Sequence, residues 1–469
     1  TIKMFDYTGS GSRAALQTDI IGESDYTQAG NGARTGLVER ILANGFPVAA
    51  KTNLSLEPLF SGNDVFEHEV NHLFIKSTYD ETGYYEYSCF DNSAFLMKED
   101  GTGAAPSAEG YADVYDFTVY QELATPNSDN KNFYRRGNFL PFDSADTGDV
   151  PSLNQYNSEG HHLTEDDPRY NETIYVQQNV NYFFGMSIEA NFMIPEKGHD
   201  ENGNPLIFEF TGDDDFWLFI DDVLVLDIGG IHDALDGSID FSTGEVKTYN
   251  GTTANSYTVT TLKECFKKAG VFPDGTQWDE SKVSDYFKDD GSFLAREGVF
   301  KDYSSHSMKI FYMERGKGAS NLKLRFNLSI VPENSVFLEK KLTGTQTTDY
   351  SNTKYAYQLF YREKGSGNDF TLYANPSGAE AHLENTHDEI EYVDSVDIAG
   401  RTYRNVFYLR AGQKAELTMP PPAEGKEWEY YFVELGLLDE EYDHVYINGE
   451  VALSRDEIEA AGRSDIFAV

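Results

Sequence analysis

The chain has 469 residues, 79 of them acidic and 37 basic, for a formal charge of −42 at neutral pH. An acidic surplus of that size repels the phosphates of nucleic acid and the anionic surfaces of membranes, which argues against both as partners. It suits an extracellular protein that can supply cation ligands. The length implies two or three domains, and the 32 Phe and 31 Tyr supply enough apolar surface for a large core. No run reaches the roughly eighteen apolar residues that a membrane-spanning helix needs. Cys89 and Cys265 are the only cysteines. Their separation establishes no bridge, and two thiols make no metal framework, so buried free thiols are the plain reading. The chain opens on Thr1 without a signal peptide and reads as an excised ectodomain.

In chain order, the first half is loop-heavy, with strands expected at Thr1–Asp6, Val70–Ile75 and Glu86–Phe95. Turn-rich clusters at 126–132 and 199–204 punctuate it. Strand signal then becomes dense, over Tyr182–Pro195, Pro205–Thr211, Phe216–Ile220, Val223–Asp227, Ser307–Glu314 and Leu322–Ile330. Helical spacing of Leu262, Cys265 and Phe266 predicts a helix near Leu262–Lys268, and another is expected over Ser281–Lys288. Pro332 interrupts pairing after Ile330, and a fresh alternating strand starts at Val336. The break divides the chain into residues 1–331 and 332–469. The second part reads as a compact run of strands, among them Tyr355–Tyr361, Asp369–Ala374, Tyr403–Leu409, Lys414–Met419 and Glu429–Glu434. The expected fold class is all-β, with sandwich architecture in both parts.

The most telling segment is Phe208–Asp227. Asp213, Asp214 and Asp215 follow Gly212 in a turn between two apolar, aromatic-rich strands of a sheet. Three adjacent carboxylates repel one another unless a cation joins them, and several oxygens on one short loop are what calcium takes. A solvated acidic turn is the plain alternative. Asp221, Asp222 and Asp227 are read as capping the hairpin that follows. Trp217, out of phase with Phe216 and Leu218, is expected to pack beneath the long first-half insertion.

The stretch Gly212–His232, with Asp236–Gly244, Phe311–Asn321 and the opening Thr1–Tyr7, resembles the signature of the fibro-slime domain. That domain belongs to the lectin-like superfamily named after the anthrax protective antigen, which includes yeast flocculins and epithelial adhesins. The resemblance covers most of residues 1–331 and implies an elaborated lectin-like β-sandwich. In the adhesin branch an Asp-Asp pair joined by a cis peptide holds calcium, which takes two sugar hydroxyls. The pair falls on Asp213 and Asp214, with Asp215 an alternative register. Relatives complete the shell with an Asn and backbone carbonyls, which here implies Asn321 as a metal ligand. Gly316, Gly318 and Ala319 are small enough for backbone oxygens to approach an ion. Ser320, His232 and Asp233 are implied as neighbours of the ligand, although a structural role suits His232 better because calcium prefers oxygen.

Residues 335–344 and 429–434 resemble the first and a late strand of a Cna B-type pilin or stalk domain, which implies a smaller immunoglobulin-like β-sandwich. In that family a strand Lys joins an Asn through an intramolecular isopeptide bond, helped by a buried Glu. Alternation places Val336, Leu338 and Lys340 on one face, with Lys341 pointing away, and groups Tyr430, Phe432 and Glu434. Lys340 and Glu434 are therefore the expected pair. No acceptor Asn is identified, since Asn448 sits in a hairpin-turn signature; the plain alternative is a buried ion pair.

Elsewhere the signals are weak. Glu67, His68, Glu69, Asn71 and His72 lack zinc-protease spacing, and the 200–204 turn lacks the bidentate Glu of a helix–loop–helix calcium site. No nucleophile elbow, phosphate loop or dinucleotide fingerprint appears. Taken together, these features lead to the expectation of a non-enzymatic adhesin from a bacterial cell surface. Calcium is the cofactor, a glycan or glycoprotein the partner, and a larger multidomain surface protein the context. A glycan-processing enzyme and a purely structural pilus or surface subunit are the alternatives.

Overall fold

A computed structural model describes residues 1–7, 20–21, 33–61, 66–70, 73–74, 82–89, 93–98, 111–117, 119–122, 134–136, 139–142, 144–147, 175–178, 181–200, 202–249, 256–289, 297–315, 320–332, 334–343, 350–374, 381–383, 389–398, 400–422, 428–436, 444–447 and 450–454. The fold is all-β, and the chain divides into two compact units, Thr1–Ile330 and Val331–Val469.

Two antiparallel sheets dominate the first unit. A seven-stranded sheet carries, in spatial order, Val223–Ile228, Asp215–Ile220, Ser305–Glu314, Phe184–Met193, Ile2–Asp6 and Phe66–Val70, with Ser329–Val331 off the path. A six-stranded sheet runs Tyr257–Thr261, Glu245–Tyr249, Leu235–Asp240, Ile207–Gly212, Leu322–Phe326, Tyr85–Ser88. The main core joins them: Phe210 and Phe208 of the six-stranded sheet stack on Phe216 of the other, at centroid separations of 3.8 and 6.2 Å. Every residue of Asp215–Ile220 is buried because its sheet is covered on both faces. Phe216, Leu218 and Ile220 enter the main core. Trp217 and Phe219 enter a second core built with Ile20, Leu37, Leu42 and Leu59, so Trp217 does lie beneath the first-half insertion. By contrast Ile207–Gly212 alternates buried and half-buried residues, the period-2 pattern of a strand with one covered face.

The Leu262–Ala269 helix starts at Thr261, whose hydroxyl accepts the Glu264 N–H, and stops at left-handed Gly270. The second expected helix is a correction: a 3-10 turn at Glu280–Lys282 and one α-turn at Val283–Tyr286 give way to a strand, Phe287–Asp289. Ring packing explains the change: Phe287 turns inward, 2% exposed, stacked on Phe300 and edge-to-face with Phe266. The expected Val70–Ile75 strand is instead Phe66–Val70, which pairs with Ile2–Asp6. Cys89 and Cys265 are buried and unbridged.

In the second unit a three-stranded sheet (Ser335–Glu339, Lys414–Thr418, Ala381–Leu383) and a five-stranded sheet centred on Tyr355–Glu363 share a core of Val336, Tyr357, Leu359, Phe407, Leu417 and Phe432.

Candidate functional site

The two strands flanking the Asp triplet do not form one sheet, as the sequence reading had them. Ile207–Gly212 belongs to the six-stranded sheet and Asp215–Ile220 to the seven-stranded one, so Asp213 and Asp214 carry the chain from one sheet to the other. The chain makes the same crossing again between Ser305–Glu314 and Leu322–Phe326. Because Gly212 is opposite Leu322 and Asp215 is opposite Met313, the two crossings lie side by side. Gly212 is required by that approach: a Cβ there would meet the Asn321 carbonyl oxygen at 2.6 Å.

Side chains bolt the crossings together. Asp213 accepts the backbone N–H of Asn321 at 2.5 Å and its side-chain amide at 2.8 Å. Asp214 accepts the Arg315 backbone N–H at 2.6 Å. Asp215 accepts two bonds from the Arg315 guanidinium, Nε to Oδ2 and Nη2 to Oδ1 at 3.1 Å, and also the Gly230 N–H at 2.8 Å. Glu314, wholly buried, hydrogen-bonds Asp214 and receives the Tyr312 hydroxyl at 3.4 Å. All three aspartates are at most 4% exposed.

Asp213, Asp214, Asp215 and Glu314 bring four buried carboxyl groups to this corner, and the Arg315 guanidinium is bonded to Asp215. Burial first, then the neighbouring charges of Asp215 and Asp213, push the Asp214 carboxyl up to about 7, against the Arg315 and Glu314 bonds that pull it down. The cheapest relief in the absence of a further cation is a proton on Asp214.

The Asp213–Asp214 peptide is trans, with Asp214 in the left-handed region at φ 59°. This corrects the cis bond that the resemblance implied: an aspartate tolerates that region as a single residue, and the corner turns through it instead. Of the neighbours expected, Ser320 is buried and gives its hydroxyl to the Phe139 carbonyl at 2.5 Å. His232 is buried with Nδ1 2.9 Å from the Asp233 carbonyl, and burial lowers its pKa. Asp233 itself is exposed. Residues 316–319, including the small residues read as carbonyl donors, lie outside the described residues. Among the described residues, no group of three or more His, Cys, Asp or Glu side chains is arranged to hold a metal. Asp213, Asp214 and Asn321 do offer the hard oxygen donors calcium takes, on a buried acidic corner. In donor chemistry the residues fit the ion; in their present arrangement Asp215 serves Arg315.

The sequence reading missed Glu314 and Arg315. Their signal was present: a charged pair ends a strand whose last five residues are all buried, and buried charges need partners.

In the second unit Lys340 follows its strand and donates to Glu434 at 2.6 Å, with the two side chains 10% and 12% exposed. The ammonium also lies over the Tyr355 ring, 4.3 Å from its centroid. Lys341 points out and pairs with Glu339. Asn448 and 455–469 lie outside the described residues. Of the weaker motifs, Glu67 is taken by Lys3 at 2.7 Å. Asp200 closes its own turn on the Asn202 and Asn204 N–H groups. No described helix is long and apolar enough to cross a membrane.

Comparison with known proteins finds short stretches of similarity to Dictyostelium discoideum proteins. Protein psiF is 43% identical over 67 residues, 14% of this chain and 8% of psiF. Protein psiP is 43% identical over 60 residues, 13% of this chain and 7% of psiP. Protein psiG is 57% identical over 35 residues, 8% of this chain and 5% of psiG. The matched segments span less than a tenth of each of these relatives. No protein-family model and no solved structure matches the chain.

Proposed function

We propose that the first unit is a calcium-dependent glycan-binding head, and that the second unit is a stalk module of the same extracellular surface protein. The observation that supports this reading is the acidic corner: four carboxyl groups, of Asp213, Asp214, Asp215 and Glu314, are buried together at the joint between two sheets. Adjacent buried carboxyl groups are costly unless protons, hydrogen bonds or cations relieve them, and a bound cation is one such relief. Asp213, Asp214 and Asn321 would hold calcium, which when bound supplies coordination positions for two vicinal sugar hydroxyls. Asp213 keeps Asn321 at the corner, the Arg315 N–H orients the Asp214 carboxylate, and the Asp215–Arg315 pair ties the Gly230 loop to the same point.

The test is a glycan array probed with and without calcium, with Asp214→Asn as the control. Asparagine matches aspartate in shape but brings no charge, so the corner stays folded while its affinity for a divalent cation falls. Wild-type protein is expected to gain thermal stability from calcium, about 2.7 kcal/mol at a hundredfold excess over Kd. Its glycan binding should disappear with chelator. Glycan binding that survives both chelation and Asp214→Asn would rule out the calcium bridge.

A further inference from the structure

Asn321, whose carboxamide is bolted to Asp213, has both of its chain neighbours pinned by residues of the first half. On one side the Ser320 hydroxyl donates to the Phe139 carbonyl at 2.5 Å, and the Phe139 N–H donates to the Ser320 carbonyl at 2.9 Å. On the other side the Cys89 N–H donates to the Leu322 carbonyl at 2.9 Å, and the Leu322 N–H donates to Cys89 Sγ at 3.1 Å. Between these pins, Asn321 gives its own N–H and Nδ2 to Asp213. With Nδ2 so engaged, Oδ1 is the oxygen that Asn321 has left for a cation. Asn321 is half-buried, whereas Ser320, Leu322, Phe139 and Cys89 are all buried.

The pins are rigid for identifiable reasons. The Phe139 ring meets Tyr87, Phe184 and Tyr312 edge-to-face, at centroid distances of 5.5, 5.6 and 6.1 Å. Cys89 directly follows the Tyr85–Ser88 strand and carries its pairing with Leu322–Phe326 one residue further. Sulfur is a weak acceptor, so the stronger half of that pin is the Cys89 N–H bond. Phe184, where the chain rejoins the seven-stranded sheet, is opposite Glu314. The first-half insertion is thus rooted beside residues 314 and 320–322, at the acidic corner.

We propose that Ser320, Phe139 and Cys89 are positioning residues for Asn321, so that the roots of the first-half insertion hold a ligand of the cation site. This inference rests on the calcium reading above and adds to it the elements that keep the Asn321 oxygen in place. Partners that orient a metal ligand matter because an ion binds poorly to an oxygen it must first order. Because the same bonds hold Cys89 and Asn321, loosening them exposes the thiol, and an ion bound at the corner protects it.

The experiment follows alkylation of both thiols of the full chain by iodoacetamide, mapped by peptide mass spectrometry, alongside a calorimetric titration with calcium. Cys265, buried on the Leu262–Ala269 helix, is the internal control, since global unfolding exposes both thiols alike. In calcium-free buffer Ser320→Ala should speed Cys89 alkylation about 5–10-fold, the effect of one buried hydrogen bond, with Cys265 unchanged. The same variant should weaken calcium binding about 10-fold. In wild type, calcium at a hundredfold excess over Kd should slow Cys89 alkylation by up to about 100-fold. Cys89→Ala keeps the backbone bond and serves if Ser320→Ala does not fold; it should weaken calcium binding about 2–4-fold. Equal acceleration of both thiols, or calcium affinity unchanged in the folded variants, overturns this inference alone. A wild-type chain that binds no calcium overturns the reading and the inference together.

Discussion

Two of the places where the chain buries charged groups do so differently. In the second unit Lys340 and Glu434 stand one to one, 2.6 Å apart, with the ammonium against the Tyr355 ring. At the sheet crossing of the first unit four carboxyl groups are buried together, one of them, Asp215, against the Arg315 guanidinium. A balanced pair is self-sufficient, and similar volumes of hydrocarbon can often replace it. A cluster of carboxyl groups in which Asp214 is pushed up to about 7 takes up or releases a proton near neutral pH, so its stability follows the solution around it. That difference separates a pair whose charge is fixed from a corner whose charge changes.

Removing the Arg315 guanidinium tests the acidic corner most severely. Arg315→Met strands the buried Asp215 carboxylate and should destabilise the first unit by about 3–5 kcal/mol in a denaturant titration. A loss below about 1 kcal/mol would show that the corner is better hydrated than its burial suggests.

Titration gives the next largest effect. The folded pKa of Asp214, about 7, lies above the ordinary carboxylate range, so between about pH 4 and 7 the folded state binds the extra proton. Its contribution is therefore fully present at low pH and lost as pH rises through 7. Asp227, raised to about 6 chiefly by burial, adds in the same direction. Calcium-free protein should lose on the order of 2–4 kcal/mol from the Asp214 site between pH 4 and 8. Asp214→Asn should flatten that slope and raise stability at pH 8. An unchanged slope in the variant would mean that another group carries it.

The balanced pair responds to single and double changes in opposite ways. Lys340→Met alone should cost the second unit about 2–3 kcal/mol, while Lys340→Met with Glu434→Leu should return most of it. Intact mass reports separately on a covalent link, since an isopeptide formed from Lys340 would remove about 17 Da as ammonia. The smallest effect is expected at the hairpin turn. Asp222 is exposed, with φ 62°, and pairs with half-buried Lys309 at 3.1 Å. Glycine adopts that conformation freely, so Asp222→Gly should stay within about 0.5 kcal/mol of wild type.

Much of the strand content was legible because burial alternates with period 2 in Ile207–Gly212 and is continuous in Asp215–Ile220. The Leu262–Ala269 helix was legible from its apolar spacing; its Thr261 cap and Gly270 stop bear the reading out. The end of the expected Ser281–Lys288 helix was misread: Phe287 and Lys288 lie in a strand because Phe287 and Phe300 stack, a contact between residues thirteen positions apart in the chain that no local pattern announces. The Asp triplet was legible as a cluster, but its partners were not. Arg315 lies a hundred residues from Asp215 and meets it because two segments cross between the same pair of sheets. Asp221 was read as a hairpin cap, but its partners His306 and Ser307 went unread for the same reason.

The sequence by itself determined an all-β chain, acidic and aromatic-rich, with a carboxylate triplet between two strands, because composition and short-range periodicity are local properties. Only the tertiary structure decided that the triplet spans two sheets and that Glu314 and Arg315 join it. Burial and ionic pairing depend on which distant strands become neighbours, and sheet pairing sets that.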